Sequence, residues 1–167
     1  MKMVLDTAPL IYSQGADRRT TFHLYRELLA LDGEGDFSFF CIDRLRRRSA
    51  CAPLLDIRDV PVREIRVPFR AIEWTWKHLH LPALERLMGQ VDLYHVAGTH
   101  APPAREATIL LTVRGIAPEV IPEWLPPGLV ATARAVLRTS MKNADYYLAV
   151  SETTRDDMVK HLSLDRD

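Results

Sequence analysis

The stretch Ala144-Asp145-Tyr146-Tyr147-Leu148-Ala149-Val150-Ser151-Glu152-Thr153-Thr154 combines the signals of a strand, a tight turn and a helix. Residues 146–150 form a short apolar run with aromatic and β-branched members, which predicts a strand buried on both faces. Ser151 is a favourable N-cap, and Glu152 follows in the first helical turn, where the helix dipole stabilises a carboxylate. In an open α/β sheet such a turn lies at the carboxyl end of its strand, which is where ligands bind.

Five further segments have the composition of strands, and helical patterns separate them. The strands are predicted at residues 3–5 with an interrupted extension at 10–12, and at 37–42, 62–67, 91–96 and 107–113. Helices are predicted at residues 22–31 with Thr20 or Thr21 as the cap, and at 72–80, 82–88 and 129–141. Residues 43–59 and 114–127 are predicted to be loops. Strands that alternate with helices predict a single Rossmann-like domain over residues 1–167, with a parallel sheet and helices on both faces.

Composition narrows the class of protein further. Hydrophobic residues make up 47% of the chain and charged residues 26%, and the formal net charge is zero. These values are typical of a globular domain and give no sign of a nucleic-acid-binding surface. No apolar segment approaches the roughly 20 residues that cross a bilayer, and the amino terminus lacks a secretory core, so we expect a cytoplasmic domain.

Two local features leave alternatives open. The basic run of Arg44, Arg46, Arg47 and Arg48 either contacts anionic lipid at the inner membrane face or belongs to a solvated loop. Cys41 and Cys51 are separated by a spacing that is typical of neither a metal site nor a redox motif. They are either two thiols in a reducing compartment or one disulfide.

Several short stretches, taken in order, resemble the amino-terminal half of a retaining glycosyltransferase of the two-domain GT-B type, in glycosyltransferase family 4. The similar stretches are Gly15 before the helix LYRELLAL at 24–31, Trp76 with LPAL at 81–84, VDLYH at 91–95, ILLTV at 109–113, PEW at 122–124, and the quoted stretch at 144–154. The resemblance rests on the order and spacing of these motifs and covers almost the whole chain.

The resemblance implies an acceptor-binding domain, which helps to move a sugar from a nucleotide-sugar to a saccharide or lipid-linked acceptor. In the family, a carboxyl-terminal domain with an E-x7-E motif binds the donor, and no two glutamates of this chain have that spacing. The implied partner is therefore a donor-binding domain in cis or in another chain, and the chain alone is expected to be inactive. No resident cofactor is implied, because the nucleotide-sugar is a co-substrate. No metal site is expected, because no nearby carboxylate or cysteine completes a ligand set with His95 and His100.

At one position the chain departs from the family in its chemistry. The family usually has His-Asp after the fifth strand, whereas this chain has Arg114-Gly115. A guanidinium can bind a phosphate or carboxylate through its planar fork. It cannot replace a histidine in proton transfer. Arg114 is therefore the candidate catalytic residue at this position, but as an anion-binding group and not as a proton-transfer group.

The candidate substrate-binding residues come from the strand-end loops. They are Gly15, Arg18, Arg19, His95, Thr99, Arg114, Ser151 and Glu152. A glycine before a helix lets backbone amides approach a phosphate, and the arginines that follow it could hold an anion. All of them except Thr99 and Arg114 also have a structural explanation. Gly15 is a turn glycine, Arg18 and Arg19 are a solvated pair, His95 is a core histidine, and Ser151 and Glu152 are a helix cap and its dipole partner.

A rival hypothesis is a non-catalytic flavodoxin-like or nucleotide-binding regulatory domain. Fold alone does not separate the two, because this architecture serves many functions. The rival predicts that Gly15, Arg18 and Arg114 are dispensable. It also predicts a sheet without an exposed apolar cleft at its carboxyl edge.

Overall fold

A computed structural model describes residues 1–31, 35–42 and 51–164 of the chain. Its centre is a sheet of six strands in which every neighbouring pair is parallel, in the order β3-β2-β1-β4-β5-β6. The strands are β1 (Lys2–Asp6), β2 (Asp36–Ile42), β3 (Val62–Ile65), β4 (Leu93–Val96), β5 (Thr108–Val113) and β6 (Tyr146–Ala149). The predicted parallel α/β sheet is confirmed.

The strand order places a topological switch point beside β1. The chain moves outward from β1 to β2 and β3, and then returns across the sheet to place β4 on the other side of β1. The connections that leave β1 and β4 therefore run in opposite directions. Such a divergence opens a crevice at the carboxyl ends of the two strands, which is the usual ligand position in this architecture.

Helices cover both faces of the sheet. They are α1 (Ala8–Tyr12), α2 (Ala16–Leu31), α3 (Ala52–Leu55), α4 (Phe69–Leu79), α5 (Leu84–Met88), α6 (Ala117–Val120), α7 (Pro127–Asn143) and α8 (Glu152–Leu162). Because side chains alternate along a strand, Val4 of β1 belongs to a hydrophobic cluster with Trp76 and Met141 on one face, and Leu5 belongs to a cluster with Tyr25 and Leu29 on the other. The two clusters are the two halves of the hydrophobic core.

The beginning of the chain differs from the prediction. Residues 10–12 belong to helix α1 instead of extending the first strand, because Pro9 occupies the first helical turn, where a missing N–H is tolerated. Helix α2 begins at Ala16, so Thr20 and Thr21 lie inside it and do not cap it. Arg18 and Arg19 are consequently helical residues and not loop residues. Gly15 precedes the helix with φ +65, a conformation that favours glycine.

Strand β6 lies at the edge of the sheet, so the prediction that it is buried on both faces was wrong. Tyr146 and Leu148 are exposed, and Tyr146 retains 65% of its accessible surface. An apolar run has the same composition in a central strand and in an edge strand, and only the pairing partners distinguish them. The predicted cap after the strand is confirmed, because Ser151 Oγ accepts the Thr154 N–H at 3.1 Å.

Both predicted loops contain short helices in their described parts. Helix α3 lies within residues 51–59, and the loop at 114–127 contains α6 and a 3-10 turn at Pro122–Trp124. The second helical piece, predicted from Pro82, begins at Leu84. The basic run of Arg44, Arg46, Arg47 and Arg48 lies outside the described residues.

Two further expectations concern the cysteines and the membrane. Cys41 and Cys51 are both buried, and no disulfide joins them. Within residues 1–31, 35–42 and 51–164, no helix has the length and apolar character needed to cross a bilayer.

Candidate functional site

The switch point holds a crevice of about 150 Å³. Asp6 ends strand β1 on one side of it, and Gly98, Thr99 and His100 follow strand β4 on the other. Tyr12 and Ser13 of the α1 segment contribute to its wall, and Phe69, Trp76 and Arg114 complete the lining from more distant parts of the chain. Because Ile42 at the end of β2 also lines it, the crevice joins residues from five separate segments at the edge where ligands are expected.

Asp6 is a buried carboxyl group at the crevice. It is 6% exposed, and its Oδ1 accepts the Ala8 N–H at 2.9 Å. Burial raises the pKa of Asp6 to about 7, although the N–H groups of Ala8 and Gly98 and the charge of Arg114 each lower it. A Cβ at position 98 would lie 3.2 Å from Asp6 Oδ2, so glycine there lets the loop approach the carboxyl group.

Arg114 follows strand β5 and points towards helix α2. Its Nη2 donates a hydrogen bond to Thr21 Oγ1 at 2.6 Å, and its Nε lies 3.6 Å from Asp17 Oδ1. The Nε–H is buried without a hydrogen-bond acceptor among the described residues. The helix thus orients the guanidinium beside the crevice and leaves one of its donors unused.

Predicted site residue His95 lies below the crevice in the core. It is 3% exposed, and its Nε2 is 2.7 Å from Thr112 Oγ1 on the neighbouring strand. Burial, followed by the charge of Arg114, lowers the pKa of His95 to about 4, so the ring is neutral at pH 7. Tyr25 packs against the ring edge-to-face, with the two centroids 5.7 Å apart. His95 therefore supports the site from beneath instead of lining it.

Thr99 and His100 form the outer wall of the crevice. Thr99 Oγ1 lies 2.9 Å from His100 Nδ1, and His100 Nε2 lies 2.6 Å from Glu73 Oε1 on helix α4. Helix α7 holds the same loop, because Ser140 Oγ accepts the N–H of Ala101 at 3.0 Å and donates to the carbonyl of Thr99. The loop after β4 is thereby tied to two helices.

A larger apolar cleft of about 690 Å³ adjoins the crevice between α7 and the end of β5. Its walls are mostly aliphatic, with Leu111, Val113, Pro118, Leu129, Val136 and Leu137 among them. The cleft and the crevice share Asp17, Gly98, Thr99, His100 and Arg114. The polar residues thus stand where a small polar crevice opens into a larger apolar one.

The remaining predicted residues lie apart from this site. Arg18 and Arg19 are exposed on α2 and line neither space. Gly15 is exposed, and a Cβ there would meet no atom within 4 Å, so its φ explains the glycine. Ser151 and Glu152 border a separate hollow of about 790 Å³ at the outer edge of β6. Of the eight predicted residues, only Thr99 and Arg114 line the joined crevice and cleft.

Sequence reasoning missed three acidic members of the site. Asp6 carried a usable signal, since a carboxylate at the end of the first buried strand of an α/β fold lies at the ligand edge. Asp17 and Glu73 carried none, because an acidic residue in a predicted turn or helix, without known neighbours, is most simply a solvated residue. In the part of the chain that the structure describes, no group of three or more His, Cys, Asp or Glu residues could hold a metal ion.

The fold and the site define a Rossmann-like α/β domain with a crevice at its topological switch point, the position where this architecture usually binds ligands. No protein-family model matches the chain, and comparison with curated proteins and with solved structures finds no significant match.

Proposed function

We propose that the chain is the acceptor-side half of a retaining GT-B glycosyltransferase resembling family 4. Its donor-binding domain would be in cis or in a partner chain. The observation that carries the proposal is the joined crevice and cleft at the carboxyl edge of the sheet, with Arg114 at their junction. A saccharide or lipid-linked acceptor would occupy this space and face a nucleotide-sugar held by the second domain.

Glycosyl transfer requires that an acceptor hydroxyl be positioned and that water be excluded. The crevice offers both hydrogen-bond donors and acceptors, and Asp6, Thr99 and His100 are among the residues that provide them. The cleft offers mostly aliphatic walls, which would exclude water from around a bound acceptor. These two properties support the acceptor role, and they come from the same edge of the sheet.

Arg114 has a separate role in the proposal. Negative charge develops on the diphosphate as it leaves the sugar, and a fixed cation at that place lowers the barrier. The guanidinium is oriented by Thr21 and keeps one buried N–H without an acceptor among the described residues. Arg114 would use this donor towards the leaving group, and it would take no part in proton transfer, because a guanidinium acts as a fixed cation.

The rival regulatory domain has less support. The strand order 3-2-1-4-5-6 differs from the flavodoxin-like order 2-1-3-4-5. The turn after β1 begins Thr7-Ala8-Pro9 and lacks the glycines of a dinucleotide-binding fingerprint. The apolar cleft at the carboxyl edge is also a feature that the rival does not predict.

The test uses the native protein together with any further domain or bound partner chain. The tagged protein is purified from its producing cells under native conditions and assayed for transfer from a panel of nucleotide-sugars. We expect transfer that falls at least tenfold in Arg114→Met and persists in Arg18→Met, a matched loss of an exposed arginine. Absence of transfer with every donor, or equal activity of the two variants, would contradict the proposal. Turnover by the isolated 167-residue chain would contradict its half-enzyme part.

A further inference from the structure

The cation at the junction already faces a carboxylate, and the histidine there faces another. Arg114 faces Asp17, with Nε and Oδ1 3.6 Å apart, and His100 faces Glu73, with Nε2 and Oε1 2.6 Å apart. Asp6 adds a buried carboxyl group to the same wall. The junction therefore carries no excess positive charge for an anionic head group, and it presents both donors and acceptors at close range.

A mixture of paired donors and acceptors suits a hydroxyl-bearing head. Each hydroxyl group donates one hydrogen bond and accepts others, so it can bridge the members of an ion pair without adding charge. A phosphate or carboxylate on the head of the ligand would instead meet the carboxyl groups of Asp17, Glu73 and Asp6, and like charges in a partly buried site repel. A buried donor that remains for an anion is the Nε–H of Arg114, which the proposed function assigns to the leaving diphosphate. The crevice thus favours an uncharged polyol or sugar.

The adjoining cleft requires a different kind of group. Its walls near α7 are built from Leu129, Ala133, Val136 and Leu137, opposite Leu111 and Val113 of the sheet. A sugar ring placed against these aliphatic side chains would leave hydroxyl groups buried without partners, which costs free energy for each group. An alkyl or aryl group would instead gain by leaving water.

The cleft opens to solvent beside exposed apolar residues. Leu129 lines the cleft and is 55% exposed, and Trp124, which immediately precedes the lining residue Leu125, is 81% exposed. An apolar chain longer than the cleft would continue over these side chains. The apolar surface of the cleft therefore continues onto the exposed surface of the protein beside Leu129 and Trp124.

We propose that this site takes an uncharged amphipathic ligand, with a hydroxyl-bearing head in the crevice and an apolar chain along α7. That this ligand is the acceptor rests on the proposed function, whereas its binding does not. A saccharide with an apolar aglycone therefore fits this site better than a bare saccharide, and better than a saccharide that is linked to its lipid through phosphate.

Calorimetry on the 167-residue chain tests the ligand class. The probes are glucose, n-hexyl and n-octyl β-D-glucoside below their micelle concentrations, and n-octyl phosphate. We expect affinity to increase roughly tenfold from the hexyl to the octyl glucoside, as two further methylene groups are buried. Octyl phosphate should bind at least tenfold more weakly than octyl glucoside. Equal affinity for glucose and octyl glucoside, or a preference for the phosphate, would overturn the inference.

Two variants locate the binding in the cleft. Ala133→Trp fills the cleft, and Ala131→Trp places the same side chain at an exposed position of the same helix that does not line it. Loss of octyl glucoside binding in the first variant only is the expected result. Leu129→Asp provides a second test at a half-exposed position that tolerates a charge, and it should weaken octyl glucoside binding at least fivefold. Unchanged binding in Ala133→Trp or Leu129→Asp would overturn the placement.

The inference and the proposed function can fail separately. Binding of octyl glucoside by the chain, with no transfer by the native protein, would remove the transferase and keep the ligand class. Transfer by the native protein to free sugars or phosphate-linked acceptors in preference to alkyl glycosides would keep the transferase and overturn the ligand class.

Discussion

The guanidinium of Arg114 donates a hydrogen bond to Thr21 Oγ1 at 2.6 Å and thereby joins the end of β5 to helix α2 across 93 positions of the sequence. The same cation lowers the pKa of two buried groups on neighbouring strands, Asp6 and His95. Arg114 is therefore both a structural link and the main positive charge that acts on the floor of the crevice.

Arg114→Gln should raise the pKa values of His95 and Asp6 together. Loss of the cation removes a charge that disfavours protonation of each group. NMR titration of the His95 ring measures the first shift, with Arg18→Gln as a control that removes a charge from the exposed face of α2. The weakened contact to Thr21 should also lower the free energy of unfolding by about 1 kcal/mol. An unchanged His95 titration would show that Arg114 does not act on this ring.

Asp6 should make the protein less stable as the pH rises. Its pKa is about 7 in the folded protein against 3.8 as the ordinary value, so the folded state binds the extra proton between these pH values. The stabilisation that protonated Asp6 contributes is fully present below pH 3.8. It is lost as the pH rises to about 7, with a slope that approaches about 1.4 kcal/mol per pH unit. Urea unfolding from pH 4 to 8 should therefore show that Asp6→Asn gains stability relative to the native sequence as the pH rises. Parallel pH profiles of the two proteins would contradict the prediction.

His95 should have the opposite effect over nearly the same range. Its pKa is about 4 in the folded protein against 6.5 ordinarily, so the unfolded state binds the extra proton in this window. Its contribution to stability is present above pH 6.5 and is lost as the pH falls towards 4. The contributions of Asp6 and His95 should therefore largely cancel in the native sequence. His95→Gln should reveal the uncompensated Asp6 slope, and a profile as flat as that of the native sequence would show that His95 does not titrate as described.

Glu85 should stabilise the turn before β5. Its Oε1 accepts three backbone N–H groups, from Arg105, Glu106 and Ala107, each at 2.9 Å. Partial burial alone would raise the pKa of Glu85, but these donors outweigh it and lower the pKa to about 2. Glu85→Ala should reduce the free energy of unfolding at pH 7 by about 1–2 kcal/mol, a value kept low because the side chain borders solvent.

A neutral amide separates the charge of Glu85 from its geometry. Glu85→Gln retains an acceptor and should lose about half as much stability as the alanine variant. The difference in stability between the native sequence and Glu85→Gln should disappear as the pH falls from 4.5 towards 2, because the folded pKa is depressed. Equal losses in the two variants at pH 7 would show that the carboxylate charge decides the interaction.

Long periodic segments were the reliable part of sequence reasoning. The helix at 129–141 and the strand at 107–113 agree with α7 and β5 to within two residues at each end. The first has the apolar stripe of a helix, and the second is a continuous apolar run of strand length. The start of α2 was misplaced because Thr20 and Thr21 look like caps, whereas Gly15 in the left-handed conformation begins the helix earlier. Local capping preferences are weak compared with the packing of Tyr25 and Leu29 on the sheet.

The candidate site was only partly accessible from the sequence. Thr99 and Arg114 follow strands, so their position at the ligand edge could be predicted from the α/β pattern. Asp17 and Glu73 lie on helices, and nothing local distinguishes them from solvated acids. His95 has the chemistry of a ligand residue, but its neighbours on adjacent strands bury it.

The amino-acid sequence by itself determined the α/β class, since strand and helix periods are local properties of a chain. The tertiary structure decided which strand lies beside which, and with it the exposure of β6 and the crevice between β1 and β4. Only the tertiary structure placed Asp6, Asp17 and Arg114 around one space, because their contacts join residues that are far apart in the sequence. The pKa values of Asp6 and His95 likewise depend on burial and on a distant cation, which no local pattern encodes.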